Sequence, residues 1–198
     1  MRRKPMTHTN RIEKAIKVAA SLHKDQTRKG PEKFPYITHL VSVFAILAQY
    51  TDDEDVLIAG LLHDTLEDTD YRPEELERDF GPRVREIVEG VTEPKMKDGE
   101  ELPWIERKKE YIRGLQRAPK ESLLVSAADK IHNFSSVLDE YGERKEIFGN
   151  DFKQEHRAEY YGRVVEIIIN SLGENHPLAQ RLRETFERYH IFLQTAYN

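Results

Sequence analysis

The chain has 198 residues, a mass of 23.2 kDa and a formal net charge of −5. That length suits one well-packed domain. The negative balance argues against a general nucleic-acid binder, which carries a basic stripe, but a local cation cluster could still hold a small polyanion. No apolar run approaches the roughly 18–20 residues that span a bilayer, and no apolar stretch of the kind a secretory signal needs follows Met1-Arg2-Arg3-Lys4-Pro5. The absence of cysteine removes disulfides, thiol catalysis and thiolate metal sites, and it is compatible with a reducing cytoplasm.

In chain order, almost every segment carries helical periodicity. Ile12, Ala15, Ile16, Val18, Ala19 and Leu22 recur at spacings of three and four, which predicts a helix over 9–26 with Thr9 or Asn10 as its cap. Gly30, Pro31 and Pro35 punctuate the loop that follows. A helix over 36–50 carries His39, and Asp52 or Asp53 caps the next, over 54–67. Pro73 opens a short helix, and Phe80-Gly81-Pro82 ends it and starts another that runs to Val91. Residues 93–102 are polar and aperiodic, with Pro94 and Gly99, and read as a mobile connecting loop. Helices resume over 103–117, 120–139, 152–171 and 177–195, with Gly173 and Pro177 between the last two. Strand signals are nearly absent, no linker separates domains, and the class is all-α in a single domain.

The densest chemistry lies in Leu61-Leu62-His63-Asp64-Thr65-Leu66-Glu67-Asp68. On a helix, His63 shares a face with Glu67 and Asp64 shares one with Asp68. This acidic cluster follows the apolar run Val56–Leu62, where it makes a poor core and a plausible active site. With His39 and Asp129 it gives four candidate metal ligands, His39, His63, Asp64 and Asp129. Mn²⁺ or Fe²⁺ tolerates such a mixed nitrogen and oxygen set, and Zn²⁺ or Co²⁺ can also occupy it. Water bound at an open position is easier to deprotonate and can attack phosphorus. Glu67 and Asp68, one turn on, could orient that water or accept its proton.

Six ordered segments resemble a known family. They are Ala20-Ser21-Leu22-His23-Lys24-Asp25-Gln26-Thr27-Arg28-Lys29-Gly30, Pro35-Tyr36-Ile37-Thr38-His39, Leu61 to Thr69, Phe80-Gly81, Val88-Glu89-Gly90-Val91-Thr92 and Ala128-Asp129-Lys130-Ile131-His132-Asn133. Together they are similar to the HD superfamily of metal-dependent phosphohydrolases, and in detail to the hydrolase domain of the bifunctional alarmone synthetase/hydrolases and the small alarmone hydrolases. The resemblance implies an all-helical fold, one Mn²⁺ and removal of pyrophosphate from the ribose 3′ position of (p)ppGpp. By motif, His39, His63, Asp64 and Asp129 would hold the metal, and Glu67 and Asp68 would handle the water. Arg28 and Lys29 would line the nucleotide pocket, and Asn133 would contact the sugar. The implied partner is a small nucleotide polyphosphate in the cytoplasm, with no nucleic acid and no membrane.

Several positions depart from the family pattern. The loop Arg28-Lys29-Gly30-Pro31-Glu32-Lys33-Phe34-Pro35-Tyr36 is longer than usual. Leu40 follows the first ligand histidine where proline is common, Ser126 stands where a lysine is common, and Ser135 replaces a cation. No metal ligand is affected, so hydrolysis at a metal is better supported than guanosine specificity. An adenosine alarmone, NADPH at its 2′-phosphate or another nucleotide phosphate is the alternative substrate, and a non-catalytic nucleotide-binding module is the alternative of a different class.

Other residues take plainer readings. His23 is read as a structural hydrogen-bonding residue, and His132 as support for the metal site or a buried residue with a backbone partner. His8, His156, His176 and His190 are surface or packing residues. Lys24 and Lys130 are solvated, as is the run Glu106-Arg107-Lys108-Lys109-Glu110 with its helical ion pairs. Trp104 anchors a helix start by packing, Tyr161 belongs to the core, and Tyr160 is the weaker candidate for touching a base.

Overall fold

The computed structural model describes residues 8–30, 32–97, 99–141 and 154–195. The Met1–Pro5 segment, Pro31 and the first two residues of the expected 152–171 helix lie outside this range, as does the side chain of His156. The elements are α1 (Asn10–Leu22), α2 (Ile37–Leu47), α3 (Glu54–Leu62), α4 (Thr65–Asp68), α5 (Pro73–Phe80), α6 (Pro82–Glu89), β1 (Met96–Lys97), β2 (Glu100–Glu101), α7 (Trp104–Leu115), α8 (Lys120–Tyr141), α9 (Gln154–Leu172) and α10 (Pro177–Thr195). The fold is all-α apart from the small antiparallel pair β1–β2. No described helix is long and apolar enough to cross a membrane.

Local chemistry sets the helix ends. Thr9 accepts a hydrogen bond from the Ile12 amide at 3.1 Å, and Asp53 accepts one from the Asp55 amide at the same distance, so each quiets an orphan donor at a helix start. Pro73 and Pro82 open α5 and α6, where a missing N–H costs nothing.

α8 runs through the middle of the molecule and packs against α2, α3, α9 and α10, and α3 lies against α1, α2 and α6. The run Val56–Leu62 is buried on every side, which is why α3 shows no polar face. A Cβ at Gly60 would meet Leu47 Cδ1 at 2.4 Å, so glycine there lets α2 and α3 approach closely. That approach sets His39 of α2 beside His63 at the end of α3.

Two expectations need correction. The helix over 54–67 is broken: α3 stops at Leu62, His63 and Asp64 form a turn, and α4 restarts at Thr65. Thr65 Oγ1 donates to the Leu62 carbonyl at 2.6 Å and takes up a backbone acceptor at the break. The shared face partly survives, because the Asp68 amide still reaches the Asp64 carbonyl at 2.9 Å. The 93–102 stretch is a short hairpin rather than a plain loop, pairing Met96 with Glu101 and Lys97 with Glu100. Gly99 takes φ 85°, a left-handed conformation that suits glycine in a tight hairpin turn.

Candidate active site

The imidazoles of His39 and His63 meet with their Nε2 atoms 3.3 Å apart. Asp64 Oδ2 lies 3.5 Å from His39 Nε2 and 3.2 Å from His63 Nε2. Asp129 Oδ1 lies 3.2 Å and 3.7 Å from the same two atoms. Thus all four expected ligands converge from α2, the α3–α4 turn and α8. His39, His63 and Asp129 are buried and offer donor atoms within 4.8 Å of one another.

The surroundings orient these donors. His63 Nδ1 lies 2.8 Å from the Gly60 carbonyl, so that nitrogen carries a proton and Nε2 is the atom turned to the carboxylates. His39 Nδ1 lies 2.9 Å from His132 Nδ1. Burial, then His39 and Arg28, push His132 down to about 4, and a neutral His132 can accept the His39 proton. Tyr36 donates to Asp64 Oδ2 at 2.7 Å. Lys130 donates to Asp129 Oδ2 at 2.6 Å, and Asn133 Nδ2 donates to Asp129 Oδ1 at 2.5 Å. Both imidazoles therefore turn Nε2 toward the carboxylate oxygens. A divalent cation fits this donor set, since it would take the place of the proton that Asp64 and Asp129 otherwise hold on the His63 imidazole.

Electrostatics agree with that tension. Burial opposes charge on His63, but Asp64 and Asp129 outweigh it and hold the imidazole well above the ordinary histidine value. Burial would raise Asp129, yet Lys130 and the two imidazoles hold it well below the usual carboxylate range. Lys130 is therefore not solvated: only 13% of its side chain is exposed, and it pairs with Asp129, with its ammonium 5.6 Å from the centre of the Tyr111 ring.

Glu67 and Asp68 line the same cavity of about 160 Å³ as the four donors. Burial, with the charges of Asp64, Asp68 and Glu93, pushes the Glu67 carboxyl up to about 7. Glu67 Oε2 accepts the Glu93 amide at 3.2 Å. Lys95 donates to the Glu67 carbonyl at 2.7 Å and to Asp68 Oδ1 at 2.8 Å. Gln26 donates to the Asp68 carbonyl at 2.7 Å and is itself 2.7 Å from His23 Nδ1. His23 is buried and stacked on Tyr36.

The expected substrate residues divide. Asn133 lines the cavity, but both ends of its amide are already used, since Arg28 Nη2 donates to its Oδ1 at 2.7 Å. Arg28 thus reaches the donor cluster through Asn133, with its guanidinium 5.6 Å from the Tyr36 ring centre. Lys29 is exposed and does not line the cavity.

Sequence reasoning missed the opposite wall. Glu93 is 7% exposed and pairs with Lys108 and with Arg107, the latter at 3.5 Å. In the expected solvated run, only Glu106, Lys109 and Glu110 keep to the outer face, and Arg107 and Lys108 turn inward because Glu93 needs compensation. Tyr160 and Tyr161 both line the cavity, and Trp104 stands edge-on to Tyr160 at 6.3 Å with 42% of its surface exposed. A signal existed in the Asp98-Gly99 dipeptide, which marks a hairpin able to fold Glu93 and Lys95 back on the acidic pair.

A family model described as HD domain matches residues 15–153, more than half of the chain. This protein belongs to the HD domain family. The HD chain is 35% identical over 175 residues to the mouse protein named guanosine-3′,5′-bis(diphosphate) 3′-pyrophosphohydrolase MESH1, with 87% of this chain and 91% of that protein covered. The Drosophila melanogaster protein of the same name is 33% identical over 91% of its length. A Streptomyces coelicolor GTP pyrophosphokinase is 38% identical over 165 residues, which are 18% of its own length. Among solved structures, a metazoan ortholog of SpoT, described as hydrolyzing ppGpp, superposes with a TM-score of 0.74 at 31% identity, covering 92% of this chain and 97% of that one.

Proposed function

We infer that this HD-domain chain is a hydrolase that removes the 3′-pyrophosphate of guanosine alarmones, converting ppGpp to GDP and pppGpp to GTP with release of pyrophosphate. The observation that carries it is the convergence of His39, His63, Asp64 and Asp129 beside Glu67 and Asp68. That site lies in a chain related along nearly its whole length to proteins named for this reaction. The proposal takes residues 1–198 as one hydrolase domain acting in the cytoplasm, with Mn²⁺ as the resident ion. The mixed donor set suits Mn²⁺ and also accepts Fe²⁺, Co²⁺ or Zn²⁺.

In this reading His39, His63, Asp64 and Asp129 hold the cation. A divalent ion there supplies Lewis acidity, making an attacking water easier to deprotonate and offsetting charge at phosphorus. Glu67, lining the cavity beside the four donors, is placed to take the water's proton. Asp68, fixed by Lys95, orients the same water. The water oxygen bonds to the phosphorus while the bond from that phosphorus to the 3′ oxygen breaks, and the proton taken by Glu67 passes to the 3′ oxygen as pyrophosphate leaves. Asn133 contacts the ribose, Arg28 adds positive charge from behind Asn133, and the exposed Lys29 contributes only longer-range attraction for phosphate. Lys108 and Lys130 line the cavity and supply positive charge that Ser135 does not.

The test is incubation with ppGpp and Mn²⁺, with an EDTA control and resolution of the products. GDP and pyrophosphate, lost with EDTA, are expected. Intact ppGpp alongside turnover of an adenosine alarmone or NADPH would move the assignment to that substrate.

A further inference from the structure

Glu67 and Asp68 are shared between two concavities. One is the cavity that holds the four metal-type donors. The other is an outer groove that also includes Asp25, Gln26, Thr69, Asp70 and Lys95. Lys95 lines only the groove, so it approaches the acidic pair from behind, away from the space where phosphorus would sit. Its ammonium spans the turn, bonding the Glu67 carbonyl at 2.7 Å and Asp68 Oδ1 at 2.8 Å. On the same strap, the Glu93 amide donates to Glu67 Oε2 at 3.2 Å, and the Leu102 amide returns to the Lys95 carbonyl at 2.9 Å across the hairpin. One short segment thereby touches both carboxylates and the backbone between them.

We propose that Lys95 is a positioning residue for the acidic pair: from the outer groove it fixes the turn that aims Glu67 and Asp68 at the cavity and ties that turn to the β1–β2 hairpin. The proposal rests on the hydrolase reading for its catalytic consequence. Lys95 and Asp68 are 39% and 32% exposed, and such a pair adds little to global stability. Its effect lies in geometry, where a small misplacement of a catalytic group costs far more rate than stability.

The experiment compares wild type, Lys95→Met, Lys95→Arg, Asp68→Asn and the Lys95→Met/Asp68→Asn double variant. Lys95→Met should lower kcat on ppGpp about 10–100-fold. KM should stay within about twofold, with Mn²⁺ affinity and melting temperature unchanged. Lys95→Arg should recover most of kcat, and Lys95→Met should add little in the Asp68→Asn background. In the metal-free proteins, hydrogen exchange of peptides spanning 64–69 and 93–97 should be about tenfold faster in Lys95→Met than in wild type. Wild-type kcat in Lys95→Met, multiplying effects in the double variant, or unchanged exchange would overturn the proposal. If wild type leaves ppGpp intact, the functional reading fails, and the exchange comparison alone decides the role of Lys95.

Discussion

His39, His63 and Asp129 project from α2, the end of α3 and α8, helices whose other faces are sealed into the core, whereas the groups facing them across the cavity come from the 93–97 strap, α7 and α9. On the first wall, backbone and side-chain bonds from Gly60, His132, Lys130 and Asn133 hold each donor. On the second, Glu93, Lys108 and Tyr160 depend on one another across distant segments, with Lys108 paired to Glu93 and its ammonium 5.1 Å from the Tyr160 ring centre. Under the proposed function, cation binding falls to rigid core helices, and substrate recognition would fall to parts that can vary without disturbing the core.

The largest effects should come from breaking the first wall. His63→Ala or Asp129→Asn should abolish both Mn²⁺ binding and turnover, read by elemental analysis and product assay on the same preparations. A variant that keeps its ion but not its activity would contradict the ligand assignment. Next, Glu67→Gln should lower kcat by about 10²–10⁴-fold while the ion stays bound, as loss of a general base does. Loss of the ion in Glu67→Gln would merge the acidic pair with the metal donors.

The first wall was legible in the sequence through the ordered set of His39, His63-Asp64 and Asp129 with its flanking motifs, since a histidine–aspartate pair alone also reads as a solvated helix face. Thr9, Asp53, Pro73 and Pro82 marked the helix ends correctly. The break at His63-Asp64 was not legible, since apolar periodicity runs through it and only the Thr65-to-Leu62 bond and the donor cluster reward the turn. The second wall was hidden for a different reason. Nothing local distinguishes Lys108 from Lys109, and the partner that draws Lys108 inward is Glu93, on a segment that reads as polar loop. Lys130 looked solvated because its stabilisation comes from Asp129 and the Tyr111 ring.

The loop of residues 28–30 meets the first wall through Arg28, and its residues should differ sharply. Arg28→Ala removes a bond to Asn133 and a cation beside the mouth. We expect kcat/KM to fall about 10–100-fold, in line with one or two charge-assisted hydrogen bonds. A larger drop in Mn²⁺ affinity than in substrate affinity would show that Arg28 serves the donor cluster instead. A titration separates the walls in another way. Glu67 is pushed up to about 7 from an ordinary 4.5, so the folded chain binds more protons than the unfolded one between those values. Its contribution to stability is present below 4.5 and lost as pH rises through about 7. Metal-free wild type should therefore melt with Glu67→Gln near pH 4.5 and below it near pH 7.5. A wild type that gains on the variant with rising pH would refute that environment for Glu67. The smallest effect belongs to the exposed Lys29, where Lys29→Ala should change kcat/KM by no more than about fivefold.

Anomalous diffraction from crystals grown with Mn²⁺, recorded at the manganese absorption edge, tests the metal centre most directly. One peak is predicted, bounded by the Nε2 atoms of His39 and His63 and by carboxylate oxygens of Asp64 and Asp129. A peak elsewhere, or none at that point in protein that still cleaves ppGpp, would contradict the account.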